Sequence, residues 1–72
     1  MKIWQMSNEE IGAKLKEARE SLGWKVLECA YNAGCSVPTV HAYEDGKGKS
    51  VPLSYITMLM RHTGWTFEGL FK

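Results

Sequence analysis

Apolar residues recur every three to four positions along most of the chain, the period of helices that each bury one stripe. In "SNEEIGAKLKEARESLG", Ile11, Leu15, Ala18 and Leu22 keep that spacing. Ser7 and Glu10 stand before them as an S-x-x-E capping box, and Gly23 supplies the stop, because glycine enters the left-handed conformation at no steric cost. A first helix is predicted over about 8 to 22. "WKVLECAYNAG" predicts a second, shorter helix closed by Gly34, with Leu27, Ala30 and Ala33 facing inward and Lys25, Glu28 and Asn32 in water. A third helix starts at Ser36, an N-cap residue, with Pro38 in the first turn, where its missing N–H costs nothing. Val40 and Tyr43 fasten this helix inward, while Thr39, His41 and Ala42 fall partly or wholly on the other side.

Turn formers fill "DGKGKSVP", which also carries two lysines. Leu53, Ile56, Leu59 and Met60 then mark the stripe of a fourth helix, roughly 52 to 63, ended by Gly64. Thr66 caps a short closing helix whose Phe67, Leu70 and Phe71 fold back onto the core. The alternation of "KIWQM" is too brief to predict a strand. The pattern as a whole predicts an all-α, compact bundle of about five short helices.

Composition sharpens this picture. Seventy-two residues imply a single domain, 1–72, with 1–6 as a short N-terminal extension, and such a chain buries only about 60% of its unfolded surface. An apolar content of 44%, with three Trp, three Tyr and two Phe, argues for a packed globule. Trp24 and Trp65 are expected in the core. Trp4, with Ile3 and Met6, is expected either to cap the bundle or to join two subunits. No apolar run is long enough to span a membrane, and "MKIWQMSNEE" turns polar too early for a signal peptide, so a cytoplasmic location is expected.

Nine Lys and Arg against eight Asp and Glu leave a net charge of +1, so any affinity for nucleic acid rests on the distribution of charge. Cys29 and Cys35 are expected as small core residues: a disulfide does not persist in a reducing cytosol, and their spacing is not that of a zinc site. His41 and His62 stand at no ligand spacing from them or from each other, and neither a metal nor a cofactor is expected. No carboxylate pair, no nucleophile with a placed base and no phosphate-cradling glycine loop points to an enzyme.

The second and third helices meet at "AGCS" in the arrangement A-x-x-x-G-x-S-x-x-x-V. Small Ala30 lets the helices cross closely, Gly34 makes the turn, and Ser36 caps the next helix. This arrangement, with "IGAKLKEARESLGW" before it and "TGWTFEGLF" after it, resembles the lambda-repressor-like and Cro-like (XRE) helix-turn-helix family over about residues 11 to 71. The resemblance implies a structural salt bridge between Arg19 and Glu44, which a planar guanidinium can hold at two points. It implies base-facing positions at Val37, Pro38, Thr39, His41 and Ala42 and phosphate contacts at Lys25, Ser36, Lys47 and Lys49.

Of the five base-facing residues only Thr39 and His41 carry hydrogen-bonding side chains. Val37 and Ala42 can pack on thymine methyls, so the expected reader is tolerant of A·T sequence, helped by DNA shape, with modest specificity. Lys25 departs from the polar cap of the family at the second helix and offers a point charge to a phosphate instead. The expected function is that of a small sequence-specific DNA-binding repressor of phage, plasmid or other mobile-element origin, acting as a homodimer on double-stranded DNA. The loop "GKSVP", the fourth helix and "FEGLFK" are the dimer surfaces that the resemblance implies. The alternative is a helix-turn-helix scaffold that meets a protein partner through Val37, Pro38 and Ala42, as an antitoxin or an inhibitor of host defence would.

Overall fold

Ser7 opens the first helix with both halves of its capping box formed: its Oγ accepts the Glu10 N–H at 3.1 Å, and Glu10 Oε1 accepts the Ser7 N–H at 3.0 Å. The computed structural model describes residues 6–47 and 50–71, and within them all regular structure is helical. The order is α1 (Asn8–Ser21), α2 (Val26–Ala33), α3 (Val37–Asp45), α4 (Leu53–Thr63) and α5 (Phe67–Leu70). Ile3, Trp4 and Lys49, for which roles were expected above, lie outside the described residues. Met6 is half-buried and packs against the core.

The core gathers Leu15 and Ala18 from α1, Cys29 and Ala30 from α2, and Val40 from α3, closed by Tyr55, Ile56 and Leu59 of α4 and by Leu70 and Phe71. Leu15, Val40 and Leu59 are fully buried, each contributing about 1.5–3 kcal/mol by leaving water. α1 is the central element: it packs most extensively on α3 and also touches α4 and α5, while α2 lies across α3 and α4. Trp24 and Trp65 are half-buried against this core, as is Cys35.

Three side chains depart from the expected pattern: Leu27, Leu53 and Phe67, the last 37% exposed and set against the ring of Phe71 at 5.0 Å instead of entering the core. Leu27 does not face inward: it is 70% exposed. The buried stripe of α2 is Val26, Cys29, Ala30 and Ala33, spaced i, i+3, i+4, i+7, and Leu27 is rotated off that stripe. Leu53 is also 70% exposed, because α4 buries the face of Tyr55, Ile56 and Leu59. The Tyr55 hydroxyl lies 3.1 Å from Cys29 Sγ, which gives both buried polar groups a partner.

Candidate nucleic-acid interface

The unit formed by α2 and α3 is built from its turn outward. Gly34 ends α2 at φ 69°, in the left-handed region, and the Cys35 N–H returns to the Ala30 carbonyl at 3.0 Å. Nothing stands within 4 Å of a β-carbon placed on Gly34, so its role is conformational. The chain then enters α3 at Ser36, whose Oγ accepts the Thr39 N–H at 3.3 Å. At the start of α2 the cap is one-sided. Glu28 accepts the Lys25 N–H at 3.0 Å, and the Lys25 ammonium has no lone pair with which to return the bond.

α3 is held at its carboxyl-terminal end. Arg19 Nε donates to Glu44 Oε2 at 2.7 Å and Nη2 to Oε1 at 3.2 Å, with both side chains more than nine-tenths buried. Nη1 donates to the Trp24 carbonyl at 2.8 Å, so one guanidinium ties α1, the loop before α2 and the end of α3 together. The hydrogen bonds to Glu44 raise the Arg19 pKa above its ordinary value, against the opposing cost of burial.

Two glycines let the backbones meet beside this pair. A β-carbon on Gly12 would overlap the Glu44 carbonyl oxygen and stand 2.7 Å from the Tyr43 oxygen. One on Gly46, at φ 69°, would stand 2.6 Å from the Asn8 carbonyl and the Glu9 Cα. The residue pattern alone did not show either contact. The available signal was Gly12 itself, since a glycine inside a helix costs about 1 kcal/mol relative to alanine and points to a packing reason.

The amino-terminal half of α3 carries the five base-facing candidates. Pro38 and His41 are exposed, while Thr39 and Ala42 are partly exposed. Val37 is half-buried and packs against the core, which limits what it can offer outward. The Thr39 and Ser36 hydroxyls lie 2.8 Å apart, so one hydroxyl proton is spent between them and one is left to donate outward. His41 therefore carries the only wholly free hydrogen-bonding side chain of the five. Lys25 and Lys47 are exposed, one before α2 and one after α3. Asp45 is exposed on the last turn of α3 and weakens the positive field there.

The model of the helix-turn-helix domain family matches residues 10–70. The chain belongs to the helix-turn-helix domain family. Neither the curated proteins nor the solved structures offer a match. In this helix-turn-helix domain α2 and α3 are the paired helices, and Gly12, Arg19 and Gly46 anchor the carboxyl-terminal end of α3. A domain of this family suggests a DNA-binding regulator, and the family is typically non-enzymatic.

Burial pushes the thiols of Cys29 and Cys35 above their ordinary values and so favours the protonated form. Among the described residues no group of three or more His, Cys, Asp or Glu is placed to hold a metal ion. No described helix is long and apolar enough to cross a membrane.

Proposed function

We propose that this helix-turn-helix domain is a sequence-specific DNA-binding regulator, a small cytoplasmic repressor of mobile-element origin that acts by occupying its operator. The observation that carries the reading is the asymmetric hold on α3: a buried ion pair and two glycine contacts fix its carboxyl end, and Pro38, Thr39, His41 and Ala42 lie on the free half. That half enters the major groove in domains of this architecture. His41 hydrogen-bonds a base edge, Ala42 and the outer part of Val37 meet thymine methyls, and Thr39 or Ser36 donates the one spare hydroxyl proton. Lys25, Lys47 and Lys49 hold the phosphates on either side and fix the register without reading sequence. With one free polar reader, specificity comes largely from methyl contacts and DNA shape. Two copies on a two-fold operator would double this modest readout.

Titration with the DNA upstream of its own gene, and with random DNA, at two salt concentrations tests the reading. Salt-dependent binding with roughly a hundredfold preference for the upstream DNA supports it, and no binding to either at low salt contradicts it. A second reading, a protein-binding module of the antitoxin or defence-inhibitor kind, is favoured by the apolar character of Val37, Pro38 and Ala42 and by the net charge of only +1.

A further inference from the structure

The hydroxyls of Ser36 and Thr39 stand 2.8 Å apart at the start of α3, with Ser36 exposed and Thr39 partly exposed. Ser36 Oγ also accepts the Thr39 N–H at 3.3 Å. A hydroxyl has one proton and two lone pairs, so the pair can point in only two ways. In the first, Ser36 donates to Thr39, and Thr39 keeps its own proton for what lies outside. In the second, Thr39 donates to Ser36, and Thr39 Oγ1 faces outward with lone pairs alone.

A phosphate beside Ser36, the contact that the family likeness implies, decides between them. Phosphate oxygens take hydrogen bonds and have no proton to give. The start of α3 has few N–H groups to offer one. Pro38 has none, the Thr39 N–H is held by Ser36 Oγ, and the Val40 N–H is held by the Ser36 carbonyl at 3.1 Å. In this first turn only the Val37 N–H lacks an acceptor among the described residues. A phosphate there draws on the Ser36 hydroxyl proton, and the chain of bonds then runs from Thr39 to Ser36 to phosphate. Ser36 Oγ spends its proton and both lone pairs in this arrangement.

We propose that Thr39 reads an amino group: on DNA its Oγ1 accepts from adenine N6 or cytosine N4 and rejects thymine O4 and guanine O6 in the same place. In the major groove adenine and cytosine present an amino donor where thymine and guanine present a keto oxygen. Each base pair carries one of each. An acceptor at Thr39 therefore tells A·T from T·A and C·G from G·C, and does not tell adenine from cytosine. Ser36 is a positioning residue here: it takes up the Thr39 proton and so fixes the kind of base that Thr39 accepts. The assignment rests on the proposed DNA binding through α3 and gives it a base class at one position.

Titrations of the upstream DNA carrying single base-pair changes, with wild type, Thr39→Val and Ser36→Gly, test it. Thr39→Val replaces the hydroxyl by a methyl of similar size, so the position at which it flattens the preference is the one that Thr39 reads. Wild type is expected to favour adenine or cytosine there over guanine and thymine by roughly three- to tenfold, the worth of one hydrogen bond. An amino-free analogue of that base is expected to weaken wild type by the same factor and to leave Thr39→Val unchanged. Ser36→Gly keeps a residue that is tolerated at helix starts and frees the Thr39 proton. It is expected to weaken all sequences and to bring guanine and thymine within about twofold of adenine and cytosine at that position. A wild-type preference for guanine or thymine there, a Thr39→Val variant that flattens no position, or a Ser36→Gly variant that keeps the full amino preference would each overturn the assignment while DNA binding stands. No binding of wild type to any duplex at low salt would overturn the DNA reading itself, and the assignment with it.

Discussion

Gly12 lies directly beneath the carbonyl of Glu44, with no room for a β-carbon between the two helices. α1 and the end of α3 therefore touch backbone to backbone, about two turns before the point where Arg19 leaves α1 to hold Glu44. This contact sets the height and angle of α3, and with them the position of His41. Gly12→Ala gains helix propensity and still is expected to lower stability by about 1–3 kcal/mol, because the overlap is with backbone that cannot swing aside. Urea unfolding measures it; an unchanged midpoint would show that the helices have room to part.

Gly46 and Gly64 form a controlled pair. Both end helices with left-handed backbones, at φ 69° and 74°, but Gly64 has open space around it and Gly46 faces Asn8 and Glu9. Gly64→Ala is expected to cost only the conformational strain, about 1–2 kcal/mol. Gly46→Ala is expected to cost that and a further packing penalty of about 1–3 kcal/mol. Equal losses in the two variants would remove the packing role assigned to Gly46.

Arg19→Met strands the Glu44 carboxylate in a site that is nine-tenths closed to water, and a loss of about 3–5 kcal/mol is expected. For a domain of this size that is most of the stability. Arg19→Met combined with Glu44→Leu is expected to recover a large part of it, since two apolar groups leave no buried charge unpaired. Thermal melts of the two variants separate these outcomes.

Cys29 and Tyr55 give the fold a dependence on alkaline pH. Burial first, and their mutual hydrogen bond second, raise the Tyr55 pKa above its ordinary 10.0; burial outweighs that bond at Cys29 and raises the thiol above 9.0. A raised pKa in the folded state means that the unfolded chain loses its proton first as pH rises. The stabilisation is therefore complete below about pH 9 and declines above it, by up to about 1.4 kcal/mol per pH unit for each group past its ordinary value. Stability measured from pH 8 to 11 is expected to fall less steeply in Cys29→Ala and in Tyr55→Phe than in wild type.

On DNA, His41→Ala is expected to relax sequence preference, while Lys47→Ala weakens all sequences alike and reduces the salt slope by about 1. Competition titrations at several salt concentrations distinguish the two. A Lys47→Ala variant that changes preference and leaves the slope intact would reverse the roles given to them.

The helices and their ends were legible because each is punctuated locally: Ser7, Ser36 and Thr66 cap, and Gly34, Gly46 and Gly64 stop. The family likeness brought Arg19 and Glu44 together across 25 positions of sequence, a distance that periodicity cannot bridge. Three kinds of feature escaped. In α2 the inward stripe was misjudged at Leu27, because eight residues offer only two turns from which to fix a phase and the aliphatic size of Leu27 outweighed Val26 and small Cys29, which take its place beside Ala30 and Ala33. The backbone contacts at Gly12 and Gly46 were hidden because a missing side chain leaves no pattern to read. The bond between Ser36 and Thr39, which leaves one hydroxyl proton to donate outward, depends on side-chain geometry alone.

The amino-terminal half of α3 is the surface proposed to meet DNA. Backbone amide chemical shifts followed by NMR as duplex DNA is added test this most directly. Shifts are predicted to concentrate at Thr39, His41 and Ala42 and at Lys25 and Lys47, with the amides of Leu53 to Arg61 little changed at a fixed oligomeric state. Shifts confined to α4 and the outer face of α2, with the amides of α3 unmoved, would contradict it.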